Sequence, residues 1–257
     1  MKEKSPGNIS TQRNIALKVQ YDGSVFHGWQ RQLNLATVQE EVERGLAKLT
    51  KTEVTLHGAG RTDTGVHALS QWANFQTQST IPTDKWCLAL NSVLPQAIRV
   101  VAAEEKSGDW HARFTPHWKH YRYSIEQTSI GSPMRRNFYW QRHGDLNFQL
   151  LQEAAALVVG SHNFKAFCAS GSKVKDHQRL IRESSWQRED NFFYYDVQGN
   201  GFLYNMVRLL VGAMTDIASG KWTIAAMQEA LTKGERHGTV FCAPPQGLCL
   251  QEIFYEN

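Results

Sequence analysis

Only four cysteines occur in 257 residues, and no two of them stand in a Cys-x-x-Cys pair. That excludes a disulfide framework and gives no zinc-ribbon spacing, so Cys87, Cys168, Cys242 and Cys249 read as free thiols of a reducing compartment. No apolar run reaches the roughly 18 residues that a membrane span needs. The first dozen residues, MKEKSPGNISTQ, have no apolar core, so they read as a loose polar tail and not as a signal peptide. Charge of one sign is also scarce. The net charge is only +4 and the pI about 8.8, which permits a polyanionic partner without requiring one. A hydrophobic content of 41% and a charged content of 20% exclude a disordered chain.

The order of elements is informative. Asn14–Tyr21 alternates as a strand, and Thr37-x-x-Glu40 has the form of a capping box ahead of a helix to about Thr50. Glu53–Leu56 and Gln71–Phe75 read as strands, Thr83–Leu94 as a helix stopped by Pro95, and Ile98–Ala103 as a strand. This is the β-α-β-β-α-β order of a split ferredoxin-like unit. The second half repeats it. Lys119–Ile125 is a strand, Phe148–Val159 a helix, and Leu180–Arg188 and Phe192–Val197 are strands. Phe202–Ser219 and Thr223–Leu231 are helices, and Leu248–Phe254 is a closing strand. The expected fold is therefore α+β. It consists of two ferredoxin-like halves, 13–109 and 110–257, whose antiparallel sheets meet in a central cleft.

Three segments carry chemistry. In Gly58-Ala59-Gly60-Arg61-Thr62-Asp63-Thr64-Gly65 the glycines permit close backbone approach to a ligand. The sixth position is Asp63, not the glycine of a dinucleotide fingerprint, and no Gly-Lys-Ser/Thr follows as in a P-loop. The loop is either a plain turn or the seat of a working carboxylate. In the apolar helix 201–212, Arg208 is a buried cation that needs a partner. It is a structural ion pair, a cation snorkelling to the surface, or the partner of Asp63 across the cleft, where it would hold that carboxyl below its usual range. From Trp110 to His143, six cations (Arg113, Lys119, Arg122, Arg135, Arg136, Arg142) oppose one acid, Glu126, and aromatics alternate with them. Such a stretch suits splayed RNA, or else forms the solvated face of an edge strand. His117-x-x-His120 is not a metal site if it lies on a strand, where the two side chains diverge. Lys173, Lys175, Arg179 and Arg182 form a further basic loop, either phosphate-contacting or merely soluble.

Together the motifs resemble the tRNA pseudouridine synthase A family over nearly the whole chain. They are Tyr21-Asp22-Gly23-x-x-Phe26-x-Gly28-Trp29-Gln30, Gly60-Arg61-Thr62-Asp63, His111-Ala112-Arg113-Phe114 and Lys119-x-Tyr121-x-Tyr123. Gly160-x-His162-x-Phe164-x-x-Phe167, Phe202-Leu203-x-x-x-Val207-Arg208 and Ala243-Pro244-Pro245-x-Gly247-Leu248 complete the set. Asn163 stands where an Asp is usual and Trp110 where a Phe is. The resemblance implies the pseudouridine synthase fold and a cytoplasmic homodimer. It also implies isomerisation of uridines in the anticodon stem-loop of tRNA, at positions 38 to 40. Asp63 would be the catalytic aspartate and Arg208 its paired arginine. Tyr121 would stack on the base and receive its C5 proton. Arg61 would hold the nucleotide out of the stack, and Leu203 would be an apolar contact beside the base. Arg113 and Lys119 are the expected cationic contacts to RNA. The reaction gains and loses no group and changes no oxidation state, so no small-molecule cofactor, metal or membrane is called for. A non-catalytic RNA-binding module, a small-molecule enzyme of the same fold class, and the same chemistry on another RNA are the competing readings.

Overall fold

The computed structural model describes residues 12–171, 174–235, 238 and 240–256. The expected polar tail, apart from Gln12, and Lys173 of the basic loop lie outside the described residues. In chain order the strands and helices are β1 (Arg13–Tyr21), α1 (Val38–Thr50), β2 (His57–Gly58), β3 (His67–Thr77), α2 (Trp86–Asn91), β4 (Ile98–Lys106) and β5 (His117–Gln127). They continue with β6 (Trp140–Arg142), α3 (Phe148–Ala156), β7 (Gly160–Asn163), β8 (Gln178–Glu189), β9 (Phe192–Gly199), α4 (Met206–Ala218), α5 (Ile224–Lys233) and β10 (Leu248–Tyr255). The class is α+β, as expected.

The two halves share one sheet, in the order β4-β1-β3-β10-β5-β9-β8-β7. The seam is a short parallel pairing of β10 with β3, Cys249 opposite His67 and Leu250 opposite Ala68. The last strand of the chain thus closes the second half and ties it to the first. Helix α1 buries Val38, Val42 and Leu46, one turn apart, against the first half. On β5 the side chains alternate. Tyr121, Tyr123 and Ile125 are buried on one face, whereas His120 and Arg122 reach Asp196 on the other, at 2.7 and 2.9 Å. His117 bonds the Thr115 carbonyl at 2.7 Å, so the two histidines do not converge.

Several local expectations change. The capping box does not form: Thr37 makes no side-chain cap bond, and its buried hydroxyl has no partner among the described residues. Glu53–Leu56 is not a strand. Glu43 takes the Leu56 N–H at 2.9 Å and Gln39 donates to the Leu56 carbonyl at 3.0 Å, so helix side chains replace the ladder. The helix expected from Phe202 starts at Met206, because Asn205 is left-handed with φ 57°. Thr83–Lys85 is a 3-10 turn before α2. The short strands β6 and β7 had no alternating signal.

Candidate active site

The Gly58–Val66 loop is built by its neighbours. Trp29 N–H bonds the Thr62 carbonyl at 3.1 Å, and Gly65 N–H the Phe26 carbonyl at 3.4 Å. Gly28 has φ +86°, and a Cβ there would lie 2.6 Å from the Thr62 oxygen. A Cβ on Gly23 would lie 2.0 Å from the Val66 oxygen. The 21–30 motif is therefore a backbone cradle for the loop, and its glycines are needed for close approach. Beneath the loop, the Tyr21 and Thr62 hydroxyls are 2.8 Å apart, and Gln71 Nε2 donates to the Gly60 carbonyl at 3.0 Å.

Asp63 projects from this loop, half-buried, and its carboxylate has no hydrogen bond or ion pair among the described residues. Arg208 acts on it through space only. The guanidinium is held elsewhere: Nε donates to the Ala243 carbonyl at 2.6 Å, and Nη1 to Asn205 Oδ1 at 2.9 Å. The expected direct pairing of Asp63 with Arg208 is thus replaced by an anchored cation facing a free carboxylate. The electrostatic contest also runs against expectation. Burial raises the Asp63 carboxyl above its ordinary value, and Arg208 only partly offsets this.

The segment after Ala243 joins these parts. Ala243 N–H returns a bond to the Arg208 carbonyl at 3.1 Å. Tyr123 donates its hydroxyl to the Pro244 carbonyl at 2.7 Å. Pro245 packs against Gly65, where a Cβ would lie 2.9 Å from the proline ring. Tyr121 is buried, with its ring edge-on to Phe202 at 5.1 Å. Its hydroxyl is pushed up first by burial and next by Asp63, which places it within the field of that carboxylate. Leu203 is buried one residue beyond Phe202. Arg61 is exposed on the loop two residues from Asp63. Lys119 shares the buried face of β5 with Tyr121, and its Nζ donates to the Ala59 carbonyl at 3.2 Å. Arg113 is exposed in the turn before β5.

Tyr121, Arg208 and Lys119 therefore all border the Gly58–Val66 loop, and Asp63 and Arg61 ride on it. Sequence reasoning did not find Asn205, Gln71 or the Ala243 carbonyl as their supports. Gln71 is fully buried on β3, but as one polar residue among several in that strand it carried no distinct signal. A cavity of ≈ 440 Å³ lined by Gln20, His67, Ser124, Tyr139 and Cys249, among others, contains none of the candidate residues.

The family model described as tRNA pseudouridine synthase matches residues 17–115 and 154–256. A protein of Thermoanaerobacter sp. (strain X514) named tRNA pseudouridine synthase A is 42% identical over 95% of this chain and 100% of its own length. One of the same name from Acetivibrio thermocellus is 41% identical over the same shares. The solved archaeal box H/ACA sRNP Nop10–Cbf5 complex is similar at 10% identity and a TM-score of 0.31, covering 93% of this chain and 49% of that one, which is too slight to argue from. A carboxylate loop cradled by the 21–30 motif, faced by an anchored arginine and matched along both halves of the chain, identifies this protein as a member of the tRNA pseudouridine synthase family, an isomerase.

Proposed function

We propose that the chain converts uridines of the tRNA anticodon stem-loop, at positions 38 to 40, to pseudouridine, as a homodimer, with Asp63 as the catalytic carboxylate. The observation that carries this reading is the Asp63 side chain itself. It is half-buried and unpaired among the described residues, it is desolvated enough for its carboxyl to be raised, and it lies in the field of Arg208 and close to Tyr121. A carboxylate kept free of partners in such a place is costly unless it has work to do.

In the reaction N1–C1′ breaks, the uracil turns, and C5–C1′ forms. The proton leaves C5 and N1 gains one. Asp63 acts as an ion in one of three ways: attack at C1′, addition at C6, or removal of the C2′ proton. The target base must first leave its stack, at a cost of roughly a few kcal/mol. Stacking on Tyr121 returns about 1–3 kcal/mol of this. Arg61 on the loop holds the nucleotide out, and Leu203 closes the apolar side. Arg113 and Lys119 contact the RNA backbone.

The test uses unmodified tRNA tritiated at uracil C5, with no added metal or cofactor. Wild type is expected to release label to water and Asp63→Ala to release none. Label released equally by both proteins would remove Asp63 from the chemistry. Binding of tRNA without release would point to another RNA as the substrate.

A further inference from the structure

Lys119 of β5 stands against Ala59 and Gly60 of the loop, the turn that carries Arg113 lies beside it with the His111 ring 5.0 Å from His57, and both Arg113 and Arg179 act on the lysine's charge through space. Lys119 comes from β5, Arg179 from β8, and Arg113 from the turn between β4 and β5. None has an acidic partner within ion-pair distance among the described residues. Like charges gathered without counter-charge cost free energy in the free protein, and an arriving anion recovers it.

The geometry is specific. Lys119 Nζ donates one of its three N–H bonds to the Ala59 carbonyl at 3.2 Å, which leaves two free. Gly60 accommodates it, since a Cβ there would stand 3.0 Å from Nζ. Across the strands Lys119 lies opposite Gly199 on β9 and Ile253 on β10, so neither neighbour brings a charge. Arg179 lies against the segment that follows Gly199, its Nε 3.4 Å from where a Cβ of Gly201 would sit, while its Nη1 donates to the Asp176 and Gln178 carbonyls at 3.1 and 2.5 Å. The Arg113 guanidinium lies 5.7 Å from the exposed Phe114 ring, and its backbone N–H is pinned to His111 Nδ1 at 3.0 Å. Lys119 and Tyr121 are two residues apart on one face of a strand, about 6.8 Å along it.

We infer that Lys119, Arg179 and Arg113 form a binding site for one backbone phosphate of the RNA, the phosphate flanking the uridine that stacks on Tyr121. This rests on the proposed function above. It adds a third residue, names the group bound, and gives Lys119 a second task. By bonding Ala59, the lysine ties the seated phosphate to the loop that carries Asp63.

A supporting feature is that burial, followed by Arg113 and Arg179, brings the Lys119 ammonium down to about 8. The charged groups facing it are those two arginines; His117, two residues along the same face of β5, feels the ammonium and is lowered from its ordinary value mainly by burial, and the other contact is the Ala59 carbonyl. Phosphate binds the protonated form. Affinity is therefore full below about pH 8 and declines above it, until it reaches the higher pKa that the bound phosphate imposes.

The experiment measures the affinity of the full-length Asp63→Asn protein for an unmodified tRNA transcript, between pH 6.5 and 9.5 and across a salt series. Lys119→Gln and Lys119→Arg are compared in that background. Lys119→Gln is expected to bind about 10- to 100-fold more weakly at pH 7, with a flat pH profile. Its log–log salt slope should be smaller by about 0.7. Lys119→Arg should bind tightly and stay flat, because guanidinium does not titrate in this range. A methylphosphonate on the 5′ or 3′ side of the target uridine should reproduce the Lys119→Gln loss in one of the two positions, and the two losses should not add. Additive losses at both positions, or a Lys119→Gln protein with the parent affinity and slope, overturn the site. Tritium release by wild type is scored separately. Release with an unaffected Lys119→Gln affinity sinks this inference alone, and no release sinks the proposed reaction instead.

Discussion

Asp63 carries its charge in surroundings that disfavour it. Because its folded carboxyl lies above the ordinary value, the folded protein holds that proton more tightly than the unfolded chain does. The stability contributed by the protonated form is present below the unfolded pKa and is lost as pH rises through the folded one. At neutral pH the ionised aspartate therefore weakens the fold. Asp63→Asn is expected to raise Tm while lowering turnover by roughly 10⁴-fold or more, read by thermal melts beside tritium release. On the proposed mechanism, in which Asp63 acts as an ion, the acid limb of wild-type activity should have its midpoint above the usual carboxylate range. Arg208 draws that midpoint down, and Arg208→Gln should move it to higher pH. Arg208→Lys keeps the charge but cannot span the Ala243 carbonyl and Asn205 together. A loss of turnover of at least about tenfold is expected, with about 1–3 kcal/mol of stability. Near-normal turnover by Arg208→Lys would show that charge alone suffices.

At the level of elements, the site is held by backbone packing more than by side-chain pairs. The 21–30 segment grips the Asp63 loop through main-chain bonds, and segment 243–247 locks Arg208 at one end and touches Gly65 at the other. Gly28→Ala places a side chain where φ is +86° and the Thr62 oxygen is 2.6 Å away. The strain is about 1–3 kcal/mol and is relieved by moving the loop. The expected result in urea unfolding is that loss of stability. In kinetics, kcat should fall far more than KM rises, because RNA is still bound while the carboxylate is displaced. A second element-level device is the Arg135–Glu126 pair, with Gln141 Nε2 also donating to Glu126 at 2.8 Å. The Arg135 hydrogen bond holds the Glu126 carboxyl below its ordinary value. Its contribution is therefore present above the unfolded pKa and lost as pH falls through the lower folded one. Glu126→Gln should flatten that part of the acid limb of stability.

Over the whole molecule, one sheet and one contiguous core run through both halves. Unfolding should be a single cooperative transition, with tryptophan fluorescence and far-UV dichroism coincident. The β3–β10 seam is short, and Leu250, which is buried at it, carries much of the join. Leu250→Ala is expected to cost about 2–5 kcal/mol. Separation into two transitions in that variant would show that the seam, not the shared core, makes the protein one unit.

Local pattern determined a good deal here. Alternation and helical spacing located most strands and helices, the residue types around Asp63 and Arg208 marked those two as candidates, and the family resemblance added Tyr121. These are properties of neighbours along the chain, which is what periodicity records. Tertiary structure decided the rest. Glu43 and Gln39 took the backbone bonds that would have made 53–56 a strand, and the left-handed Asn205 delayed α4 until Met206. Arg208 turned to a carbonyl 35 residues away and left Asp63 without a partner among the described residues. Whether the Asp63 carboxyl would be raised or lowered depended on how much water the surrounding elements exclude and how near the guanidinium comes. Those quantities exist only once β3, β5 and α4 have met, because desolvation and through-space charge follow distance in the fold and not separation along the chain.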